Sequence, residues 1–145
     1  MCKQEFLYQA VHQAEVEETP KIIAAVEAAI DEVVDLKKNM QIQLALEEAI
    51  VNISSYAYQD MESVEKIIKI NIWRSQTKLT IEIKDYGIAY NPLENKEPNL
   101  SLPIEECKVG GLGIHFIRNL IDEVVYERKS IANVLTLMIK LGSNK

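Results

Sequence analysis

Cysteine and positive charge are both in short supply in this chain of 145 residues, and each shortage removes a class of function. The two cysteines, Cys2 and Cys107, make neither a disulfide framework nor a zinc site. Sixteen Lys and Arg stand against 22 Asp and Glu, for a net charge of −6 and a pI near 5.0. That balance argues against direct nucleic-acid binding, which needs a basic patch to neutralise phosphates. Small anions remain open as ligands, provided backbone amides and a metal ion carry the positive end. No apolar run approaches the length of a membrane span and no signal peptide is read. The expectation is therefore a cytoplasmic protein with no membrane attachment. Histidine is nearly absent, and His12 offers no partner to His115, which reads as a packed or surface residue. No internal repeat, low-complexity tract or linker breaks the chain, and 48% of it is hydrophobic. One domain over residues 1–145, with a real core, is expected.

Leu44 to Tyr58, LALEEAIVNISSYAY, carries two patterns at once. Ile42, Leu46, Ala49, Ile50, Ile53 and Ala57 recur at helical spacing and form an apolar stripe. Glu48, Asn52 and Tyr56 stand four residues apart, so on a regular helix they stack along the edge of that stripe. Such a row is either a solvated polar edge or a carboxylate and a carboxamide held over a ligand.

The other elements follow from shorter signals. Lys3 to Val11 reads as a strand. Thr19-Pro20 resembles a helix N-cap followed by proline, and Ile22, Val26, Ile30 and Val33 give the next helix its buried side. Asn39 is the expected start of the second helix. Ile67 to Trp73 and Leu79 to Ile83 alternate with the period of strands, with a hairpin turn between them, and Trp73 is expected in the core. Ile114 to Ile121 reads as a helix, and Val124 to Glu127 and Val134 to Leu141 as closing strands. Early helices, late strands and hairpin links predict an α+β fold, a largely antiparallel sheet with helices on one face.

Two further segments hold candidate chemistry. Asp85-Tyr86-Gly87-Ile88-Ala89-Tyr90-Asn91-Pro92 follows a strand directly, and is either an ordinary turn or a carboxylate presented to a ligand where the chain turns closely. Val109-Gly110-Gly111-Leu112-Gly113-Ile114 precedes an expected helix. It is either a hinge or a set of backbone amides open to an anion at the helix N-terminus. It is not a Walker loop, since no Gly-Lys-Ser/Thr follows, and Phe116 stands where a dinucleotide fingerprint needs glycine.

In this order and spacing the three segments resemble the nucleotide-binding boxes of the GHKL (Bergerat-fold) ATPase superfamily. The nearest resemblance is to the stand-alone bacterial anti-sigma-factor serine/threonine kinases. It covers nearly the whole chain, including the stretch Arg118, Leu120, Asp122, Glu123, Val124 and Tyr126. The resemblance implies a two-layer α/β sandwich, a mostly antiparallel mixed sheet with helices on one face and an ATP lid from about Leu93 to Val109. It implies ATP and Mg²⁺ as cofactors. Glu48 becomes the general base, Asn52 the Mg²⁺ ligand and Asp85 the acceptor for the adenine amino group. Gly87 lets the base lie close, Asn91 belongs to the nucleotide site, and Gly110, Gly111, Leu112 and Gly113 meet the phosphates. Implied partners are a sigma factor and an anti-anti-sigma antagonist that is phosphorylated, with a homodimer as a further implication. The other reading is a non-catalytic, ATP-responsive protein-binding module. Two positions depart from the pattern. Tyr56 stands where many relatives have histidine, and Ala132-Asn133-Val134-Leu135-Thr136 replaces a usual Gly-Thr box, so Thr136 receives no role. Lys96 and Lys108 in the lid region, like Cys107, read as solvated or lid residues.

Overall fold

The reason the chain forms a layered domain is visible in its strands. The computed structural model describes residues 4–62, 64–94 and 119–142. Strands β1 (Glu5–Gln13), β2 (Ile67–Arg74), β3 (Lys78–Asp85), β4 (Glu123–Lys129) and β5 (Ala132–Lys140) form one sheet in the order β1-β2-β3-β5-β4. Every pairing among them is antiparallel. Ile68, Ile70 and Ile72, then Leu79, Ile81 and Ile83, then Leu135, Leu137 and Ile139 alternate with more polar neighbours, so one face of the sheet is almost wholly aliphatic and buried.

Helices α1 (Thr19–Ile30) and α2 (Leu36–Asn52) cover that face. Ile22, Val26 and Ile30 of α1 and Ile42, Ala45, Leu46, Ala49 and Ile50 of α2 are its counterparts in the core. Burying each of the larger side chains stabilises the fold by roughly 1.5–3 kcal/mol. The expected α+β architecture, antiparallel sheet and one-sided helices are borne out.

Several boundaries shift for identifiable reasons. Asp35, not Asn39, caps α2: its Oδ1 accepts from the Lys38 backbone N–H at 2.8 Å. Asn39 sits a turn inside the helix, buried, donating to the Glu27 carbonyl of α1 and accepting from Gln43. It ties the two helices together. Thr19 is the first residue of α1 and is buried, with Glu18 at the N-cap position, because a short 3-10 turn over Val16–Glu18 leads into it. Trp73 is not in the aliphatic core. It lies half-buried on the opposite face of the sheet, its ring 6.1 Å from that of Phe6 on β1.

The end of α2 departs from a regular helix. From Ile53 to Ala57 the chain continues as a π-helix, and the left-handed conformation at Asp60 (φ 61°) then turns it away. A π-helix takes more than four residues per turn, so Tyr56 is not stacked one turn beyond Asn52. It is exposed instead.

Replacing Asp35 by Ala should lower stability by about 1 kcal/mol, the usual worth of an N-cap. In urea the unfolding midpoint should fall while the slope stays constant.

Candidate nucleotide site

Polar groups collect at one end of the aliphatic sheet face. On β3 the inward alternation Leu79, Ile81, Ile83 ends in Asp85; on β5 the alternation Ile139, Leu137, Leu135 ends in Asn133. Register places these two ends opposite each other, with Ile68 on one side and Arg128 on the other. The aliphatic run therefore ends at a cross-strand pair of buried polar groups, Asp85 and Asn133.

Asp85 is only 4% exposed. Its Oδ1 accepts from the Gly87 backbone N–H at 2.9 Å and from Asn133 Nδ2 at 2.9 Å. Arg128 donates from Nη1 to the Gly87 carbonyl at 2.9 Å and adds a favourable charge near Asp85. Burial nevertheless dominates, and it pushes the Asp85 carboxyl above its ordinary value against the opposing pull of Asn133, Gly87 and Arg128. Both of these hydrogen bonds fall on Oδ1, so Oδ2 is the oxygen suited to a donor arriving from outside.

Asn133 is the hub of the row. Its Nδ2 also donates to the Ile88 carbonyl at 2.8 Å, while its Oδ1 accepts from the Tyr90 backbone N–H at 3.2 Å and from the Tyr126 hydroxyl. It thereby fixes the 85–90 turn onto β5 and β4. Sequence reading passed over it. The available signal was a polar residue at an inward position of an alternating strand, and the partner, 48 residues earlier, could not be read from local pattern. Thr136 lies opposite Glu82 and Val125 and takes no part in this network.

The 85–90 turn is also fixed to the end of α2. The Tyr58 hydroxyl accepts from the Tyr86 backbone N–H at 2.8 Å and donates to the Ile67 carbonyl. Ile88 N–H donates to the Ala57 carbonyl at 2.9 Å. Glycine is required at 87 because a Cβ there would lie 2.2 Å from the Ala57 oxygen. No side chain fits that gap. The close approach is thus to the π-helical segment, a demand on Gly87 separate from any ligand.

Glu48 and Asn52 stand one turn apart near the end of α2, both half-buried, with the Asn52 amide placed to favour the charged form of the Glu48 carboxyl. An amide that donates its Nδ2 to a carboxylate keeps Oδ1, a hard oxygen, for a cation. Partial burial raises the Glu48 carboxyl above its usual value, the Asn52 hydrogen bond opposes this, and the charge of Glu47 adds to it. Among the described residues no three His, Cys, Asp or Glu side chains gather for a metal. One amide oxygen beside a carboxylate fits Mg²⁺, which takes few protein ligands when phosphate oxygens and water complete its shell. Asn91 caps its own turn, accepting from the Leu93 backbone N–H at 2.9 Å. Gly110, Gly111, Leu112 and Gly113, the lid beyond Glu94, Lys96, Cys107, Lys108, His115 and Cys2 lie outside the described residues.

An antiparallel sheet with two helices on one face, closed at one end by a buried carboxylate and a helix-borne Glu-Asn pair, has the architecture of a Bergerat-like ATPase. The chain belongs to the histidine kinase-like ATPase domain family, whose model matches residues 12–139. Among curated relatives, the serine/threonine-protein kinase BtrW of Bordetella bronchiseptica is 28% identical over 94 residues, covering 65% of this chain and 65% of the relative. The serine-protein kinase RsbW of Listeria innocua is 27% identical over 104 residues, covering 68% of this chain and 64% of the relative. The matched stretches thus span just under two thirds of either relative's own length.

The raised Asp85 carboxyl has a consequence for stability. A carboxylic acid with a raised folded-state pKa binds protons more tightly folded than unfolded, so stability falls as pH rises from the ordinary aspartate value through the folded one. Asp85→Asn keeps an oxygen for Gly87 and Asn133 but removes the ion. The variant should be more stable than the parent at neutral pH, and the difference should vanish at pH values below the ordinary aspartate range. Urea titrations at several pH values measure this directly.

Asn133→Leu should act in the opposite direction. It takes a donor from the buried Asp85 carboxylate, at about 1–3 kcal/mol for a buried group left short of a partner, and unfastens the 85–90 turn from β5. A loss of at least about 2 kcal/mol by denaturant unfolding is expected.

Proposed function

We propose that the chain is an ATP-dependent protein serine/threonine kinase whose acceptor is a small antagonist protein, and that phosphorylating it controls the availability of a sigma factor. The observation that carries the reading is the half-buried Glu48, one helical turn from Asn52 on a helix end whose continuation is fixed to the Asp85 turn. The kinase names of the two relatives support it.

Bound ATP supplies the phosphoryl group, and Mg²⁺ neutralises charge on the phosphates. Asp85 accepts a hydrogen bond from the amino group of the base on Oδ2, while its Oδ1 stays with Gly87 and Asn133. Asn52 offers Oδ1 to the metal and keeps Glu48 oriented through Nδ2. Glu48 receives the proton of the acceptor hydroxyl, a task suited to a carboxylate whose basicity burial has raised. The glycines at 110, 111 and 113 and Leu112 contribute amides to the phosphates, and Asn91 holds the turn that borders the base. No helix among the described residues is long and apolar enough to cross a membrane.

The three polar residues should fail in distinct ways. Asp85→Asn should weaken ATP binding roughly 10- to 150-fold, since a hydrogen bond to a charged group is worth about 1.5–3 kcal/mol. GTP, with a carbonyl in place of the amino group, should bind poorly to the parent. Asn52→Ala should lose the Mg²⁺-dependent part of ATP affinity. Glu48→Gln should bind Mg-ATP as the parent does and lose roughly 10²- to 10⁴-fold in transfer, the usual worth of a general base. Calorimetry with ATP and GTP, combined with phosphate transfer to the antagonist protein, separates these outcomes. Parental transfer by Glu48→Gln removes Glu48 as the base. A parent that binds ATP and never transfers is a nucleotide-responsive binding module.

A further inference from the structure

The catalytic row on α2 continues in the other direction as an exposed apolar ridge. Stepping back by four residues from Glu48 meets Leu44, Met40 and Leu36, which are 52%, 59% and 72% exposed. The aliphatic core does not need them, because α2 meets it through Ile42, Ala45, Leu46, Ala49 and Ile50 on the opposite side. Residues at i±4 form a continuous ridge along a helix, here about 18 Å from Leu36 to Glu48. Leu44 lies one turn, about 6 Å, from Glu48. Lys37, also exposed, precedes Met40 by three residues and Leu44 by seven, so helical spacing puts its charge on the same side.

We propose that Leu36, Met40 and Leu44 are the docking ridge for the phosphoacceptor protein, a partner with an apolar patch beside its acceptor hydroxyl and an acidic group that meets Lys37. The inference rests on the kinase reading. Continuity selects the occupant: a protein that places a hydroxyl against Glu48 and extends toward the start of α2 covers Leu44 and then Met40. Charge places its chemistry along the ridge: exposed Lys37 is the cation at the start of α2, while exposed Glu47, three residues beyond Leu44, puts an anion at the Glu48 end, so the partner's acidic group belongs at the Lys37 end. Large apolar side chains aligned on an otherwise polar surface are the usual mark of an interaction site.

The test uses the full chain, γ-labelled ATP and an extract of the native cell as the source of acceptor, with label transfer read at sub-saturating extract. Met40→Gln/Leu44→Gln should lose about tenfold or more in transfer rate, the scale for two lost apolar contacts. Its ATP affinity by calorimetry and its melting temperature should match the parent's, because both positions are exposed and glutamine is a good helix former. Lys37→Glu should also lose transfer, and raising the salt concentration should shrink its difference from the parent. Val11→Gln, at an equally exposed apolar position on edge strand β1, should transfer as the parent does. Parental transfer by the double variant overturns the ridge and leaves the kinase reading standing. A parent that binds ATP and labels no extract protein overturns both. A parent that is dimeric by light scattering, with a monomeric double variant, puts a second copy of this chain on the ridge and overturns the assigned occupant.

Discussion

The contact between Gly87 and the Ala57 carbonyl is the constraint on which the candidate site depends. It brings the turn after β3 against the π-helical end of α2 at a separation that no side chain at 87 would permit. The neighbouring hydrogen bonds, Ile88 N–H to Ala57 and Tyr86 N–H to the Tyr58 hydroxyl, have their geometry only because that approach is so close. Asn52 lies five residues before Ala57, and Asp85 two before Gly87. One backbone contact therefore sets the Asp85 carboxylate and the Asn52 amide in a common frame. The π turn serves the same end, since a helix wound with extra residue per turn presents its carbonyls differently from a regular one.

The two carboxylates of the site are both raised by burial, yet they are held differently. Asp85 is nearly enclosed and has donors from a backbone amide and a side-chain amide on one oxygen. Those donors favour the charged form and only partly offset the burial that disfavours it. Glu48 is half-buried, with the Asn52 amide favouring its charged form. The first environment suits a fixed acceptor of hydrogen bonds; the second suits a group that gains and loses a proton. A structural ion at the edge of a core would ordinarily be exchanged for an apolar or amide residue at little cost. Its presence at Asp85 is understandable when a ligand takes the other oxygen.

Much of this was legible in the chain before its fold. The alternation through Ile68, Ile70 and Ile72 and through Leu79, Ile81 and Ile83 specified strands with a single buried face. The stripe through Ile42, Leu46 and Ala49 specified the helix above them. These patterns are local, and burial enforces them. The helix starts were less legible, because Asp35 and Asn39 are both good capping residues and only Asp35 has a free backbone N–H within reach. The π turn was hidden because its residues, ISSYA, continue a helical rhythm until tertiary contact with the 86–88 turn pulls them out of it. Asn133 was hidden for another reason. Its importance comes from pairing with Asp85 across the sheet, and no spacing along the chain encodes which strand lies next to which.

The strand order bears on how the molecule is made. β5 lies between β3 and β4, so a chain emerging from the ribosome presents β3 with one hydrogen-bonding edge open until residues 132–140 arrive. During that interval the first three strands and both helices can assemble, since β1, β2, β3, α1 and α2 all precede it in sequence. Asp85, however, still lacks Asn133, and the turn after it lacks its anchor on β5. The candidate site is thus among the last parts to close. Vectorial synthesis leaves the open edge of β3 as the place where a half-made chain is most exposed to mispairing.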